Sequence, residues 1–297
     1  EKTIDFIREN EGKNWFFSFN CFDPHHPFDP PAEYLDRFNP ADMPLPSEHP
    51  AEKDTKPSFQ LLDRIWAHNN PGEFHTKAMS DDDRRQVCAA YYAMVTLIDD
   101  QVGRILQALE ETGQTENTLV VFMSDHGEML GDHGIYFKGP HFYDCQLRIP
   151  LIIRWPAGGI KADRKIDGLI ELVDLAPTFL DAAGMEIPGQ MQGKSLLPLL
   201  KGGHEAESCR EQVYSEYYNS WTHGDAYGTM LRTKDEKIVV FHGTQQGEYY
   251  DLKNDPEEYF NLWDDPAAEK RKNAMIASCF DASVFTMDPH PPRLGPF

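Results

Sequence analysis

Residues 118–128 read TLVVFMSDHGE, and they decide the fold class of this chain. The first six are mostly apolar or β-branched and follow a long helical pattern, which predicts a buried parallel strand. Asp125 and His126 come directly after that strand, and ligands of open α/β sheets bind outside the carboxyl ends of the strands. A carboxylate beside an imidazole supplies one oxygen and one nitrogen ligand to a divalent cation. The turn is therefore a candidate metal site, and a turn in which Asp125 caps a helix is the alternative.

Other stretches also place polar residues next to apolar runs. They are WFFSFN (15–20) before DPHHPF (23–28), FKGPHFYD (137–144) before IPLIIRWP (149–156), and then LVDLAPT (172–178), GKSL (193–196) and YDLKNDPEE (250–258). This ordered set resembles the sulfatase family of the alkaline-phosphatase superfamily, including its phosphonate monoester hydrolase branch. The resemblance covers nearly the whole chain.

The predicted fold is α/β, with an alkaline-phosphatase-like, mixed and largely parallel sheet flanked by helices in residues 1–204. Its best helix begins at Ser80, repeats apolar residues every three or four positions, and ends at Gly113. Residues 205–297 form a small α+β domain with an antiparallel sheet and an extended tail. Further elements are predicted as strands at 15–19, 212–217, 227–232, 237–242 and 248–251 and as helices at 2–10, 172–183 and 266–280.

The resemblance implies that Asp125 and His126 are metal ligands. The family's metal is most often calcium, which suits an aspartate ligand, while the imidazole makes Mg²⁺ or Mn²⁺ conceivable. Residues 21–78 are rich in Pro, Asp and His and show little periodicity, which indicates a long excursion over the active-site end of the sheet. This excursion is expected to help select the substrate, since long loops of compact domains are usually functional.

The resemblance also assigns the residues that act on the ester. Lys138 stands where the family places a lysine on the sulfate group and the leaving oxygen. His25 follows a proline, as does the family's histidine that protonates the scissile oxygen, and the pKa of a histidine suits that task. His26 is expected to form a wall of the pocket. His141 is expected either to bind the substrate or to orient Lys138.

The family's nucleophile is missing from these residues. It is a formylglycine made from the Cys (or Ser) of a Cys-x-Pro/Ala-x-Arg signature, and none of the five cysteines has that context. The family's early Asp-Asp metal pair is missing as well. The expectation is that the chain is the C-terminal portion of a longer sulfatase, that the missing N-terminal segment holds the formylglycine, and that 1–297 alone is inactive.

Charge and composition narrow the classes of partner. With 28 Lys and Arg against 49 Asp and Glu, the net charge is −21, which argues against nucleic acid and anionic membranes. No apolar run is long enough to span a bilayer. The scattered cysteines form neither a disulfide framework nor a zinc site and favour a reducing, cytoplasmic compartment.

The leading hypothesis is a sulfuric ester hydrolase acting on a small-molecule or carbohydrate sulfate ester. A phosphonate monoester or phosphodiester hydrolase of the same superfamily is the first alternative, and a nucleophile-free, non-catalytic module is the second. The tail is expected to wrap its own domain or to reach a neighbouring subunit in a homo-oligomer.

Overall fold

The computed structural model describes residues 1–60, 79–136, 138–202, 210–218 and 226–287. Within these ranges the α-helices are α1 (Lys2–Glu9), α2 (Ala32–Leu35), α3 (Asp81–Glu111), α4 (Asp144–Leu147), α5 (Leu175–Ala182), α6 (Leu197–Leu200) and α7 (Glu269–Phe285). The strands are β1 (Val120–Met123), β2 (Leu151–Arg154), β3 (Gln212–Tyr218), β4 (Tyr227–Thr233), β5 (Glu236–Phe241) and β6 (Gly247–Asp251).

Helix α3 has the ends that its sequence predicts. The Ser80 hydroxyl accepts a hydrogen bond from Asp83 N at 3.2 Å, and the Asp83 carboxylate accepts one from Ser80 N at 2.8 Å. This reciprocal capping satisfies amide groups that the first helical turn leaves unpaired. Gly113 ends the helix with a φ of 65°, a conformation that favours glycine. Near this end the helix packs against α1, and their buried apolar side chains form one core cluster.

The first sheet pairs β1 with β2 in antiparallel register, from Val120 opposite Arg154 to Met123 opposite Leu151. The part of the predicted mixed sheet that lies in the described residues is therefore one antiparallel pair, and β1 has no parallel neighbour among those residues. A parallel pair needs a crossover that carries the chain back to the same end of the sheet. Here the chain between the strands forms loops and the four-residue α4, and it enters β2 beside the end of β1.

The strand predicted at 15–19 is also wrong, because residues 14–22 have no regular secondary structure. The apolar residues there have no ladder partner among the described residues, and Phe16 is 73% exposed. Apolar and β-branched composition favours an extended chain, but a strand exists only where backbone groups pair with a neighbour.

The second sheet has the order β3-β4-β5-β6, with every neighbouring pair antiparallel. Helix α7 covers one face, where Met275 and Cys279 pack on Leu231, Ile238 and Tyr249. The predicted strands and helix of this region are confirmed to within a few residues. These elements confirm a chain of mixed helices and strands with an antiparallel C-terminal sheet.

Two predictions fall outside the described residues, namely the boundary at 204/205 and the extended tail. The described helices include none long and apolar enough to cross a bilayer.

Candidate active site

Asp125 and His126 lie in the turn that follows β1, here called the Asp125–His126 turn (residues 124–128). His126 Nδ1 is 2.7 Å from the carbonyl oxygen of Gly127, so Nδ1–H donates to it and the Nε2 lone pair remains for a ligand. Nε2 lies 3.8 Å from Asp125 Oδ2, and the two side chains are 39% and 84% exposed. The turn thus presents one nitrogen and one oxygen ligand side by side at the surface.

Lys138 and Glu128 share the environment of this turn. Burial lowers the pKa of Lys138, while the nearby charges of Glu128 and Asp125 oppose that shift. Burial raises the pKa of Glu128, and the charges of Lys138 and His126 oppose it. The charge of Lys138 thus acts on Glu128, and the charges of Glu128 and Asp125 act on Lys138. The roles of Asp125, His126 and Lys138 stay predictions. Glu128 was not among the predicted site residues, although it lies within residues 118–128.

His25 and His26 lie on the loop that enters the excursion over residues 21–78. Their rings stack at 4.2 Å, and His25 Nδ1 is 2.6 Å from the carbonyl oxygen of His26. With Nδ1–H donated to that oxygen, Nε2 is the ring nitrogen that remains to bond a ligand.

Aromatic contacts connect this loop to helix α3. The His26 ring contacts Phe28 at 6.5 Å, and Phe28 contacts Tyr91 of α3 at 5.7 Å. Burial raises the pKa of Tyr91 to about 12, and the charge of Glu128 adds to that rise. Tyr91 is therefore the residue of α3 that contacts the loop of His26 through Phe28 and that is influenced by the charge of Glu128.

A groove of about 920 Å³ adjoins His26. Its walls come from residues 26–40 and from α3, and they are mostly apolar, with Phe28, Leu35, Phe38 and Val87 among them. This volume is in the range of small-molecule sites. The role of the excursion in substrate selection stays a prediction, and the groove is one place where it would act.

His141 is buried, with only 1% of its surface exposed, and its ring stacks on Phe59 at 6.1 Å. In this arrangement the ring offers almost no surface to a substrate. Its position, three residues after Lys138 and inside the core, favours the alternative role of orienting the Lys138 loop (residues 138–143). Sequence proximity to Lys138 indicated a functional role but carried no information about burial.

The described residues supply only part of the ligand set that the predicted metal site needs. Asp125 and His126 match two ligands of a divalent cation in chemistry and separation. Among the residues that the structure describes, no group of three or more His, Cys, Asp or Glu side chains is placed to hold a metal ion. The pair fits such an ion as part of a ligand set.

Gly127 allows the turn to contact α4 directly. Its N–H donates to Gln146 O at 2.6 Å, and a Cβ at position 127 would overlap the carbonyl oxygen of Cys145. Gly127→Ala is therefore expected to lower the free energy of unfolding by about 1–3 kcal/mol, the usual cost of overpacking. Urea titration of both proteins measures it.

The matched control is Gly189→Ala, since Gly189 has open space where a Cβ would stand. This variant should change the free energy of unfolding by less than about 0.5 kcal/mol, as surface substitutions do. Equal stabilities of the Gly127→Ala and Gly189→Ala variants would contradict the close approach of α4 to the turn.

Two family models match the chain. The model described as "Sulfatase" matches residues 1–185, and the model described as "N-sulphoglucosamine sulphohydrolase, C-terminal" matches residues 131–282. Together they span both sheets.

Similar proteins carry related descriptions. An arylsulfatase of Clostridium perfringens is 32% identical over 266 residues, which are 88% of this chain and 52% of that protein. An N-acetylglucosamine-6-O-sulfatase of Bacteroides thetaiotaomicron is 37% identical over 232 residues, 76% of this chain and 41% of that protein. A solved structure of a phosphonate monoester hydrolase from Silicibacter pomeroyi has a TM-score of 0.84 at 29% identity, covering 96% of this chain and 60% of that one. The chain thus spans about half the length of the curated relatives it matches.

Proposed function

The chain belongs to the sulfatase family of the alkaline-phosphatase superfamily, and on that premise we propose that it supplies part of the active site of a sulfuric ester hydrolase. Two observations support the proposal. Asp125 Oδ2 and His126 Nε2 lie 3.8 Å apart, and the charge of Asp125 influences the pKa of Lys138. Hydrolysis of a sulfate monoester needs positive charge at the non-bridging oxygens and a proton for the departing alcohol.

Each residue has a defined task in this proposal. Lys138 binds the sulfate oxygens and stabilises negative charge on the leaving oxygen. His25 donates a proton from Nε2 to that oxygen, while Nδ1 stays bound to the carbonyl of His26. His26 borders the space that holds the alcohol. The substrate class is a sulfated carbohydrate or small molecule, which the glucosamine-directed family model and the N-acetylglucosamine-6-O-sulfatase relative support.

The proposed cofactor is a divalent cation, Ca²⁺ first and Mg²⁺ or Mn²⁺ next. When bound, it would polarise the sulfate oxygens and the nucleophile. Asp125 Oδ2 and His126 Nε2 are the ligands from this chain. The Gly127 carbonyl keeps His126 in the tautomer that binds a metal through Nε2.

The proposed nucleophile is a formylglycine supplied from outside residues 1–297, since these residues lack the Cys-x-Pro/Ala-x-Arg signature. The second candidate function is hydrolysis of phosphonate monoesters or phosphodiesters. The likeness to the phosphonate monoester hydrolase, with a TM-score of 0.84, favours it.

Parallel assays test the proposal. The full-length gene product is expected to hydrolyse 4-nitrophenyl sulfate and N-acetylglucosamine 6-sulfate faster than 4-nitrophenyl phenylphosphonate. Chelation should abolish the activity, and Ca²⁺ should restore it. Residues 1–297 alone should show no turnover, because the nucleophile is absent.

Each contrary outcome has a definite meaning. Faster cleavage of the phosphonate would replace the first function with the second. Turnover by 1–297 alone would contradict a nucleophile from outside. A full-length protein that cleaves none of the three substrates would favour the non-catalytic module.

A further inference from the structure

Helix α4 makes a hydrogen bond to each of the two loops that carry the site. Its Gln146 accepts a hydrogen bond from Gly127 N through the main-chain oxygen at 2.6 Å, which binds the Asp125–His126 turn. The side chain of the same residue donates from Nε2 to Gly139 O at 3.0 Å, which binds the Lys138 loop. One residue therefore connects the predicted metal ligands to the predicted sulfate-binding lysine.

The side chain of Gln146 has one good orientation. It is 8% exposed, and only the amide nitrogen can pair with a carbonyl oxygen, so Nε2 must face Gly139. Gly139 directly follows Lys138 in the chain. The hydrogen bond therefore fixes the backbone one residue from the amine that the proposed reaction uses.

Helix α4 is in turn bound to the C-terminal sheet. Arg232 of β4 donates two hydrogen bonds to the Asp144 carboxylate, at 3.1 and 2.9 Å. Lys237 of β5, with no exposed surface, pairs with Asp144 at 2.5 Å and with Glu258 at 2.6 Å. Lys237 also donates to Phe142 O at 2.9 Å. Charge-assisted, buried hydrogen bonds of this kind hold a segment in one geometry.

We propose that Gln146 is a positioning residue: it fixes the Lys138 loop relative to the Asp125–His126 turn, so that the C-terminal sheet sets the geometry of the site through α4. The inference rests on the proposed function. In this proposal Gln146 acts through Gly139 on Lys138. Displacement of a positioned group by about 1 Å costs on the order of 10²-fold in rate.

The test replaces Gln146 by leucine, which keeps the volume and removes the donor, in the full-length gene product. With 4-nitrophenyl sulfate, kcat is expected to fall on the order of 10²-fold, with a much smaller change in KM. Gln146→Met is unbranched like glutamine and also lacks the donor, so it should show the same loss. This second variant replaces Gln146→Leu in the test if the leucine variant fails to fold.

The matched control is Gln114→Leu. Gln114 also uses Nε2 to bind a main-chain oxygen, that of Ile7 at 2.9 Å, but at the α1–α3 contact. This variant should keep kcat within about twofold, because the site lies elsewhere and well-separated sites act independently. A loss of kcat in Gln146→Leu no larger than in Gln114→Leu overturns the inference.

A double-mutant cycle separates positioning from a general structural role. If Gln146 acts through Lys138, then Gln146→Leu should cost less than about threefold in kcat when Lys138→Ala is already present. If Gln146→Leu lowered kcat only by reducing the amount of folded enzyme, its loss and the loss caused by Lys138→Ala would multiply. Multiplicative losses would therefore overturn the proposal.

A readout without catalysis distinguishes failure of this inference from failure of the proposed function. Lys138 acetylation by acetic anhydride, followed by peptide mass spectrometry, should be several-fold faster in Gln146→Leu than in Gln114→Leu. If the wild type cleaves no sulfate ester but the labelling rates differ, the function fails and the positioning stands. Equal labelling rates and equal kcat values in Gln146→Leu and Gln114→Leu would overturn the positioning role and leave the proposed function standing.

Discussion

Lys237→Met is expected to lower the free energy of unfolding by about 3–5 kcal/mol, the usual cost of removing one partner of a buried ion pair. Lys237 has no exposed surface. It pairs with both Asp144, which is half-buried, and Glu258, which is buried, and its loss would leave these two carboxylates with one fewer cation between them. Methionine has a similar length and flexibility, so the variant tests the charge more than the packing.

The pH dependence gives this prediction a second, independent measurement. Burial by itself would raise the pKa of Asp144, but the charges of Lys237 and Arg232 outweigh it and lower the pKa to about 2, from 3.8. A carboxyl with a lowered folded pKa stabilises the protein above its unfolded pKa and loses that contribution as the pH falls through the folded value. In the wild type this contribution is full above about pH 4 and fades towards about pH 2.

The pKa of Glu258 affects the pH dependence of the stability difference in the same direction as that of Asp144. Burial raises its pKa, and the charge of Lys237 opposes that rise. Without Lys237 the pKa of Glu258 should rise further, so that protonation on acidification stabilises the folded variant. The stability difference between wild type and variant should therefore narrow as the pH falls below neutrality.

Urea titrations at several pH values measure both effects. The control is Lys234→Met in the adjacent turn, where the lysine is exposed. It should change the free energy of unfolding by less than about 0.5 kcal/mol. A Lys237→Met variant as stable as this control at neutral pH, or a difference that widens on acidification, would contradict the account of the buried cluster.

The elements that were predicted correctly carry local signals. Helix α3 has a serine cap at one end and a glycine at the other, and both act within a few residues. The segments of β3 to β6 show the sequence alternation that is typical of strands in a small antiparallel sheet. Residues 118–128, together with the motifs around them, also predict a site at the turn after β1, and that site stays a prediction.

The features that were missed depend on contacts between distant residues. Lys237 and Asp144 are 93 positions apart, and nothing near either residue indicates the other. The antiparallel pairing of β1 with β2 depends on the path of the chain between them. The burial of His141 depends on Phe59, far away in sequence. A single sequence reports periodicity and turn chemistry, but not which distant groups meet.

Lys138→Ala is expected to lower kcat for 4-nitrophenyl sulfate by about 10²–10³-fold in the full-length gene product, as does removal of one preorganised charge-stabilising donor. The reason is that Lys138 would face negative charge that develops on the leaving oxygen. The matched control, Lys165→Ala, removes an exposed lysine whose side chain is 85% exposed, and its kcat should stay within about twofold, since such surface changes are small.

The dependence of kcat on pH tests whether the reaction needs the positive charge of Lys138. Burial lowers the pKa of this amine below its ordinary value of 10.5, while the charges of Glu128 and Asp125 limit the shift. Lys138 is charged below its folded pKa, so activity that needs the charge should fall as the pH rises through that value. Lys138→Arg should move this alkaline limb upwards, because the guanidinium stays charged, even though its different shape lowers the rate. An alkaline limb that is the same in the wild type and in Lys138→Arg would show that another group controls it, and an unchanged kcat in Lys138→Ala would remove Lys138 from the reaction.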